Sequence, residues 1–254
     1  MKWIFKFIKE LKLRSLYRVL RFHNEPIIIC GCGRSGTSLL LAILDAHPHI
    51  KGIDYETNIF VWKRYFKSHR INGIYHSLRI FNQLIRVAIK TTARRWCEKT
   101  PKNVRFIPLI LKELNGRVKI IHIIRDGRDV CTSYHPTTEG YHVSIDRWVN
   151  DVKDGLAFKD HANVLTIKYE DLVQNFEDSI ATVLQFLDEP YLKDLIDFHE
   201  KSNIEKHSAW FDRIKPLNNL SVGKWKNEKH RIRMREFYQN EPAMNLLQQL
   251  DYVK

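Results

Sequence analysis

The run IIICGCGRSGTSLLLAIL, from Ile27 to Leu44, reads as a strand, a glycine loop and a helix. Ile27 to Cys30 is a short apolar, β-rich segment. Gly31, Gly33 and Gly36 carry it into the apolar series Leu39, Leu40, Leu41, Ile43 and Leu44. Such a loop points successive backbone N–H groups at one spot, and the following helix aims its positive dipole end there, so the geometry suits a phosphate or a sulfate. The spacing of Gly31 and Gly36 has the outline of a Walker A loop, but Thr37 stands where that motif has its lysine. In kinases and ATPases that ammonium sits on the β and γ phosphates, a charge that a neutral hydroxyl does not supply. The cation of this loop is Arg34. A tight turn with no ligand is the plainer alternative.

Outward from this run, the chain has 254 residues, 44% of them apolar, enough for one α/β domain with a buried core. Its formal charge of +13 points to anionic partners: nucleotide, acidic polysaccharide, a membrane surface or nucleic acid. Residues 1–24 stand apart as a basic amphipathic helix. Lys2, Lys6, Lys9, Lys12, Arg14, Arg18 and Arg21 alternate there with Trp3, Ile4, Phe7, Ile8, Leu11 and Leu16. Lysine interrupts every apolar run, so neither a signal-peptide core nor a membrane span is expected, and the cytoplasm is the default location. Residues 1–22 are read either as a peripheral contact with an anionic membrane or as a helix packed on its own domain. Cys30, Cys32, Cys97 and Cys131 have no partner pair or histidine cluster at zinc spacing, so free thiols and no metal are expected.

Beyond the loop helix, Asp54 and Glu56 fall in a connection where a carboxylate could take a proton from an incoming hydroxyl; a surface acid is the plainer reading. Phe60 to Trp96 has a helical, basic pattern, either a cleft for an acidic acceptor or a solvated face. WCEKTP leads from Trp96 into a helix near Asn103 to Leu114, and Val118 to Ile124 is a buried strand. The charged turn Arg125 to Val130 follows it, on the edge where open α/β sheets bind ligands. Ser133 lies eight residues after Arg125, and the two make a second candidate anion site. Val164 to Lys168 is a further strand running into Tyr169, with helices expected from Val173 to Leu187 and from Asn227 to Leu250. Between them stands Ser221-Val222-Gly223-Lys224-Trp225-Lys226. No repeat or linker divides residues 25–254, which are expected to form a single domain with helical insertions.

The segments CGCGRSGTSLL, EKTP, HIIRDGRDVCTS and VGKW, in this order, resemble the sulfotransferases that use 3′-phosphoadenosine 5′-phosphosulfate, nearest to the RSGT-type bacterial and Golgi enzymes. The resemblance runs from Pro26 onward. It implies an α/β P-loop fold of three αβα layers around a central, mostly parallel sheet. It also implies sulfuryl transfer without metal to a hydroxyl or amine acceptor. The acceptor stays open among a carbohydrate, a lipid headgroup, a tyrosine and a small molecule, and the basic excess tilts the reading towards something already acidic, such as an acidic carbohydrate.

Carried over residue by residue, the resemblance implies that Arg34, Ser35, Gly36, Thr37 and Ser38 hold the 5′-phosphosulfate and that Arg125 and Ser133 hold the 3′-phosphate. Tyr169 falls near an adenine contact, and Ser221, Gly223, Lys224 and Trp225 complete the donor site. Asn218-Asn219-Leu220 replaces the Arg-Lys-Gly run of the cytosolic branch. Lys99 and Arg34 are implied to stabilise the transferred charge. The histidine base of the phenol and steroid branch is absent, since Pro101 stands in its place. Glu56 is preferred as base over Asp54, with His135 and His142 as outsiders. Two alternatives remain: a P-loop kinase or other phosphotransferase, and a non-catalytic module that binds a polyanion. No nucleic-acid motif is present.

Overall fold

Alternating apolar residues in the strands build a sheet covered on both faces. The computed structural model describes residues 24–61, 93–134, 139–202, 204 and 214–253. Residues 1–23 of the helix expected over residues 1–24, most of the basic segment from Phe60 to Trp96, and His135 lie outside them. Strand β1 is Ile27–Gly31, β2 Ile50–Gly52, β3 Arg95–Lys99, β4 Lys119–Ile124 and β5 Val164–Lys168. They form one sheet in the order β2-β3-β1-β4-β5, and every neighbouring pair is parallel.

Successive side chains of a strand point to opposite faces. Ile27 and Ile29 of β1, with Ile121 and Ile123 of β4, enter one core. There they meet helix α1 (Thr37–Asp45) and three later helices. Ile28 and Cys30, with Ile120, enter a core on the other face, against a 3₁₀ turn (Pro101–Phe106) and helix α2 (Ile107–Glu113). A third cluster gathers α3 (Gly127–Cys131) and α4 (Ile145–Leu156). The chain continues through α5 (Tyr169–Gln174), α6 (Phe176–Phe186), α7 (Phe198–Lys201), α8 (Arg231–Gln239) and α9 (Glu241–Gln249). The architecture is the expected α/β sandwich of helices around a parallel sheet. No helix among the described residues is long and apolar enough to cross a membrane.

Four local expectations are corrected. WCEKTP does not simply lead into a helix: Arg95 to Lys99 is a buried strand between β2 and β1. Its charged residues masked the strand, because Arg95, Glu98 and Lys99 are all buried with polar partners. Arg95 therefore belongs to no solvated basic helix; its guanidinium donates to the Leu187 carbonyl and lies 3.4 Å from Glu189. The single helix expected over Val173 to Leu187 is two, because Asn175 leaves helical geometry at φ −126°, ψ 57°. The terminal helix also breaks. Asn240 accepts from the Ala243 N–H as the cap of α9, and Pro242 cannot continue the helix before it.

His122 of β4 is fully buried, and neither ring nitrogen has a hydrogen-bond partner among the described residues. Its ring packs so closely on α4 that a Cβ at residue 155 would stand 2.2 Å from it, which explains Gly155. Burial pushes its pKa down to about 4 from an ordinary 6.5. The unfolded chain therefore takes up a proton that the folded chain refuses. Stability from this site is complete above the ordinary value and is lost as the pH falls towards 4. In urea titrations the wild type should lose about 3 kcal/mol more than His122→Phe between about pH 7 and about pH 4. Parallel pH profiles would contradict this assignment.

Candidate active site

Each strand of the sheet delivers a candidate residue to its carboxyl edge, the edge on which parallel sheets take ligands. Arg34 follows β1, Glu56 follows β2, Lys99 ends β3, Arg125 follows β4 and Tyr169 follows β5. The loop from Cys32 to Gly36 turns through two left-handed residues, Arg34 at φ 71° and Gly36 at φ 94°. The Ser35 N–H donates to the Cys32 carbonyl at 3.2 Å. Gly36 caps α1 without a side-chain bond, so the first-turn N–H groups at Thr37, Ser38 and Leu39 have no acceptor within the helix. A Cβ at residue 36 would lie 2.4 Å from the Tyr169 ring, so only glycine fits. Ser35 is fully buried and its Oγ has no partner among the described residues. Thr37 is buried and Ser38 half-buried. A buried orphan hydroxyl beside a helix start fits a tetrahedral oxyanion.

Arg125 ties this loop to two other segments. Its Nη1 donates to the Arg34 carbonyl at 3.0 Å, its Nη2 donates to the Ser221 carbonyl, and its Cζ lies 4.5 Å over the Tyr169 ring. The Nε is buried without a partner among the described residues. Burial and then the nearby Arg125 lower the Arg34 pKa, as two guanidiniums on one edge require. Ser133 is half-buried, and its hydroxyl donates to the Asp129 carbonyl at 2.9 Å.

The C-terminal motif is held from the same turn. Asp129 accepts from the Gly223 N–H at 2.8 Å and the Trp225 N–H at 3.0 Å, so these two groups position the segment. The Trp225 ring lies 4.2 Å from the Arg128 guanidinium. Lys224 is exposed, and Ser221 meets Arg125 through its carbonyl. Tyr169, 7% exposed, has its ring taken up by Gly36 and Arg125, so it supports the loop.

On the other side of β1, Lys99 is level with Ile29 in the parallel register. Its ammonium lies 2.8 Å from Glu56 Oε1; the lysine side chain is 1% exposed and the glutamate 37%. Burial lowers the Lys99 pKa and the Glu56 carboxylate pulls it back up. Asp54 is exposed. His142 reaches the loop from another side, its Nε2 3.8 Å from where a Cβ of residue 33 would be. This edge therefore offers N–H groups and cations for an anion next to a carboxylate that could take a proton. One group of possible metal ligands occurs among the described residues, His47, His49 and Glu189. It is occupied internally: His49 Nδ1 bonds Glu189 at 2.9 Å, and both His47 nitrogens contact backbone groups.

Sequence reasoning missed the carboxylates that organise the site. Asp129 holds the Gly-Lys-Trp segment, and Glu170 accepts from the Asp126 N–H and the Tyr252 hydroxyl. Asp126 caps α3 and grips the Arg128 guanidinium. Charged residues flanking a buried strand were the available signal.

Residues 26–194 match the profile described as "Sulfotransferase family", well over half of the chain. A putative protein-tyrosine sulfotransferase of Caenorhabditis briggsae is 29% identical over 198 residues, 70% of each chain. The protein-tyrosine sulfotransferase of Drosophila melanogaster is 28% identical over 250 residues, 82% of this chain but only 48% of that longer protein. Protein-tyrosine sulfotransferase A of Caenorhabditis elegans is 29% identical over 78% of this chain and 60% of its own. Among solved structures, the sulfotransferase domain of a Synechococcus olefin synthase superposes with a TM-score of 0.57 at 17% identity, over 86% of this chain and 97% of that one. A mouse sulfotransferase crystallised with PAP gives 0.57 at 18% identity, over 90% and 88%. These two superpositions show the same fold; the family profile spans the glycine loop, the Lys99 strand, the Arg125 turn and β5, and on that ground the chain belongs to the sulfotransferase family.

Proposed function

We propose that this sulfotransferase takes its sulfuryl group from 3′-phosphoadenosine 5′-phosphosulfate and passes it to a hydroxyl acceptor. The observation that carries the reading is the 3.0 Å bond from Arg125 to the Arg34 carbonyl. It joins the two candidate anion sites on one edge of the sheet, as a donor with two anionic ends needs. In this reading the loop from Arg34 to Ser38 holds the 5′-phosphosulfate. Arg125 and Ser133 serve the 3′-phosphate, and Ser221, Gly223, Lys224 and Trp225 close that end. The Ser35 hydroxyl and Arg125 Nε, without partners among the described residues, supply donors for such oxygens. The relatives' names favour a tyrosine hydroxyl as acceptor over the acidic carbohydrate considered from composition.

The proposed chemistry is an in-line displacement. The acceptor oxygen forms a bond to sulfur as the bond from sulfur to the bridging phosphate oxygen breaks, and the electron pair of the broken bond stays on the departing phosphate. The acceptor proton passes to the Glu56 carboxylate. Lys99 and Arg34 meet the negative charge that grows on the transferred oxygens and the leaving phosphate, which lowers the barrier because the cations are already in place. The 2.8 Å contact of Lys99 with Glu56 supports a base and a charge stabiliser at one point.

Two outcomes follow. 3′-Phosphoadenosine 5′-phosphate at a hundredfold excess over its Kd should raise the melting temperature by about 5–10 °C. ATP or AMP with Mg²⁺ should raise it far less; a shift with ATP and Mg²⁺ alone would contradict the donor. With an acidic tyrosine peptide as acceptor, Lys99→Ala should lower kcat about 10²–10³-fold and Glu56→Gln about 10²–10⁴-fold, with the thermal shift retained. Wild-type turnover in Glu56→Gln would contradict the base.

A further inference from the structure

Glu98 is a carboxylate inside the protein, 1% exposed, next to Lys99 on β3. Burial raises its pKa, and its hydrogen bonds work against that rise. It faces hydrogen-bond donors on both oxygens. Oε1 accepts from the Thr57 N–H at 3.3 Å, from the Thr57 hydroxyl at 2.8 Å and from the Thr100 hydroxyl, and Oε2 accepts from Asn103 Nδ2 at 2.7 Å. An apolar residue of similar volume would serve the core at less cost in desolvation, so the buried charge calls for another account.

What Glu98 holds is the segment that carries Glu56. Asp54, Tyr55 and Glu56 are exposed, and the segment is fastened to β3 and the turn after it at a few points. The Ile53 N–H donates to the Cys97 carbonyl at 2.9 Å, Thr57 donates twice to Glu98, and the Asn58 N–H donates to the Thr100 hydroxyl at 3.3 Å. Thr100 in turn donates to Glu98. The residue after Glu56 and the residue before Lys99 are thus bonded to each other. The distance of 2.8 Å between Glu56 and Lys99 is spanned by two flexible side chains, and the Glu98 to Thr57 clamp fixes the backbones from which both reach.

We infer that Glu98 is a positioning residue for sulfuryl transfer, holding the Glu56 carboxylate against Lys99 through Thr57 and Thr100. The inference rests on the reading of Glu56 as base. A misplacement of about 1 Å at a reacting group costs on the order of 10²-fold in rate, and that is the loss expected when the clamp goes. Glutamine keeps the volume of Glu98 but turns an amide N–H₂ towards groups that are themselves donors.

The test is a double-mutant cycle of Glu98→Gln and Glu56→Gln. Its readouts are sulfuryl transfer from 3′-phosphoadenosine 5′-phosphosulfate to an acidic tyrosine peptide and the slow release of 3′-phosphoadenosine 5′-phosphate when water is the acceptor. Glu98→Gln alone should lower kcat about 10²-fold with little change in KM for the donor and with the thermal shift kept, while adding little to the loss in Glu56→Gln. Equal losses in both backgrounds would mean a merely structural role and overturn the inference. So would unchanged kcat in Glu98→Gln beside a crippled Glu56→Gln, which leaves the base standing. Wild-type turnover in Glu56→Gln would instead remove the base reading itself, and this inference with it. Thr57→Val, which deletes one arm of the clamp and keeps the shape, should repeat the pattern if Glu98→Gln does not fold; an unchanged kcat in that variant would also overturn the inference.

Discussion

The Arg125 guanidinium lies where three separate parts of the chain meet. It donates to the carbonyl of Arg34 in the glycine loop, donates to that of Ser221 in the C-terminal segment, and covers the ring of Tyr169 after β5. A planar guanidinium with several fixed N–H groups can bond more than one carbonyl at once, which a lysine ammonium does with less geometric control. Remove it, and the loop loses a partner on one side while the segment around Gly223 is left to its bonds to Asp129 and the contact of Trp225 with Arg128. The same side chain has a buried Nε without a partner among the described residues, so it is a tie between segments that still has capacity for an anion.

A second group of contacts organises the opposite end of the edge. There the charges are carboxylate and ammonium: Glu56 pairs with Lys99, and Glu98 anchors Thr57 and Thr100 behind them. Under the proposed chemistry the two ends have different tasks. The arginine end holds the donor's anionic groups, and the lysine end meets the charge that moves. Loop geometry links them, because β1 lies between β3 and β4 and its loop passes over the edge between both sites.

Much of this was legible in the sequence, for physical reasons that differ by element. Ile27 to Cys30 and Lys119 to Ile124 are apolar runs that only a buried strand would tolerate, and the glycines of the loop announce a backbone turn that side chains would obstruct at Gly36. β3 was not legible, because RWCEK is mostly charged or polar and hides its burial behind hydrogen bonds formed with distant segments. Helix α4 has a regular apolar stripe in Ile145, Trp148, Val149 and Val152, yet it also buries Asp151, which a carboxylate does only because Arg105 and Arg147 pair with it across space. The motif residues of the site could be named one by one. Their partners Asp129, Glu98 and Glu170 could not, since the bonds that give them purpose span from two to about a hundred residues of chain.

Whether one adenosine bisphosphate is gripped at both ends of this edge is decided at Arg125. Calorimetric affinities for 3′-phosphoadenosine 5′-phosphate and for adenosine 5′-phosphate, each with wild type and Arg125→Ala, give the worth of the 3′-phosphate in the presence and absence of the guanidinium. A charge-assisted contact of this kind is worth about 1.5–3 kcal/mol. The bisphosphate's advantage should be large in the wild type and fall by roughly that amount in Arg125→Ala. An advantage that survives unchanged in the variant would contradict such a grip.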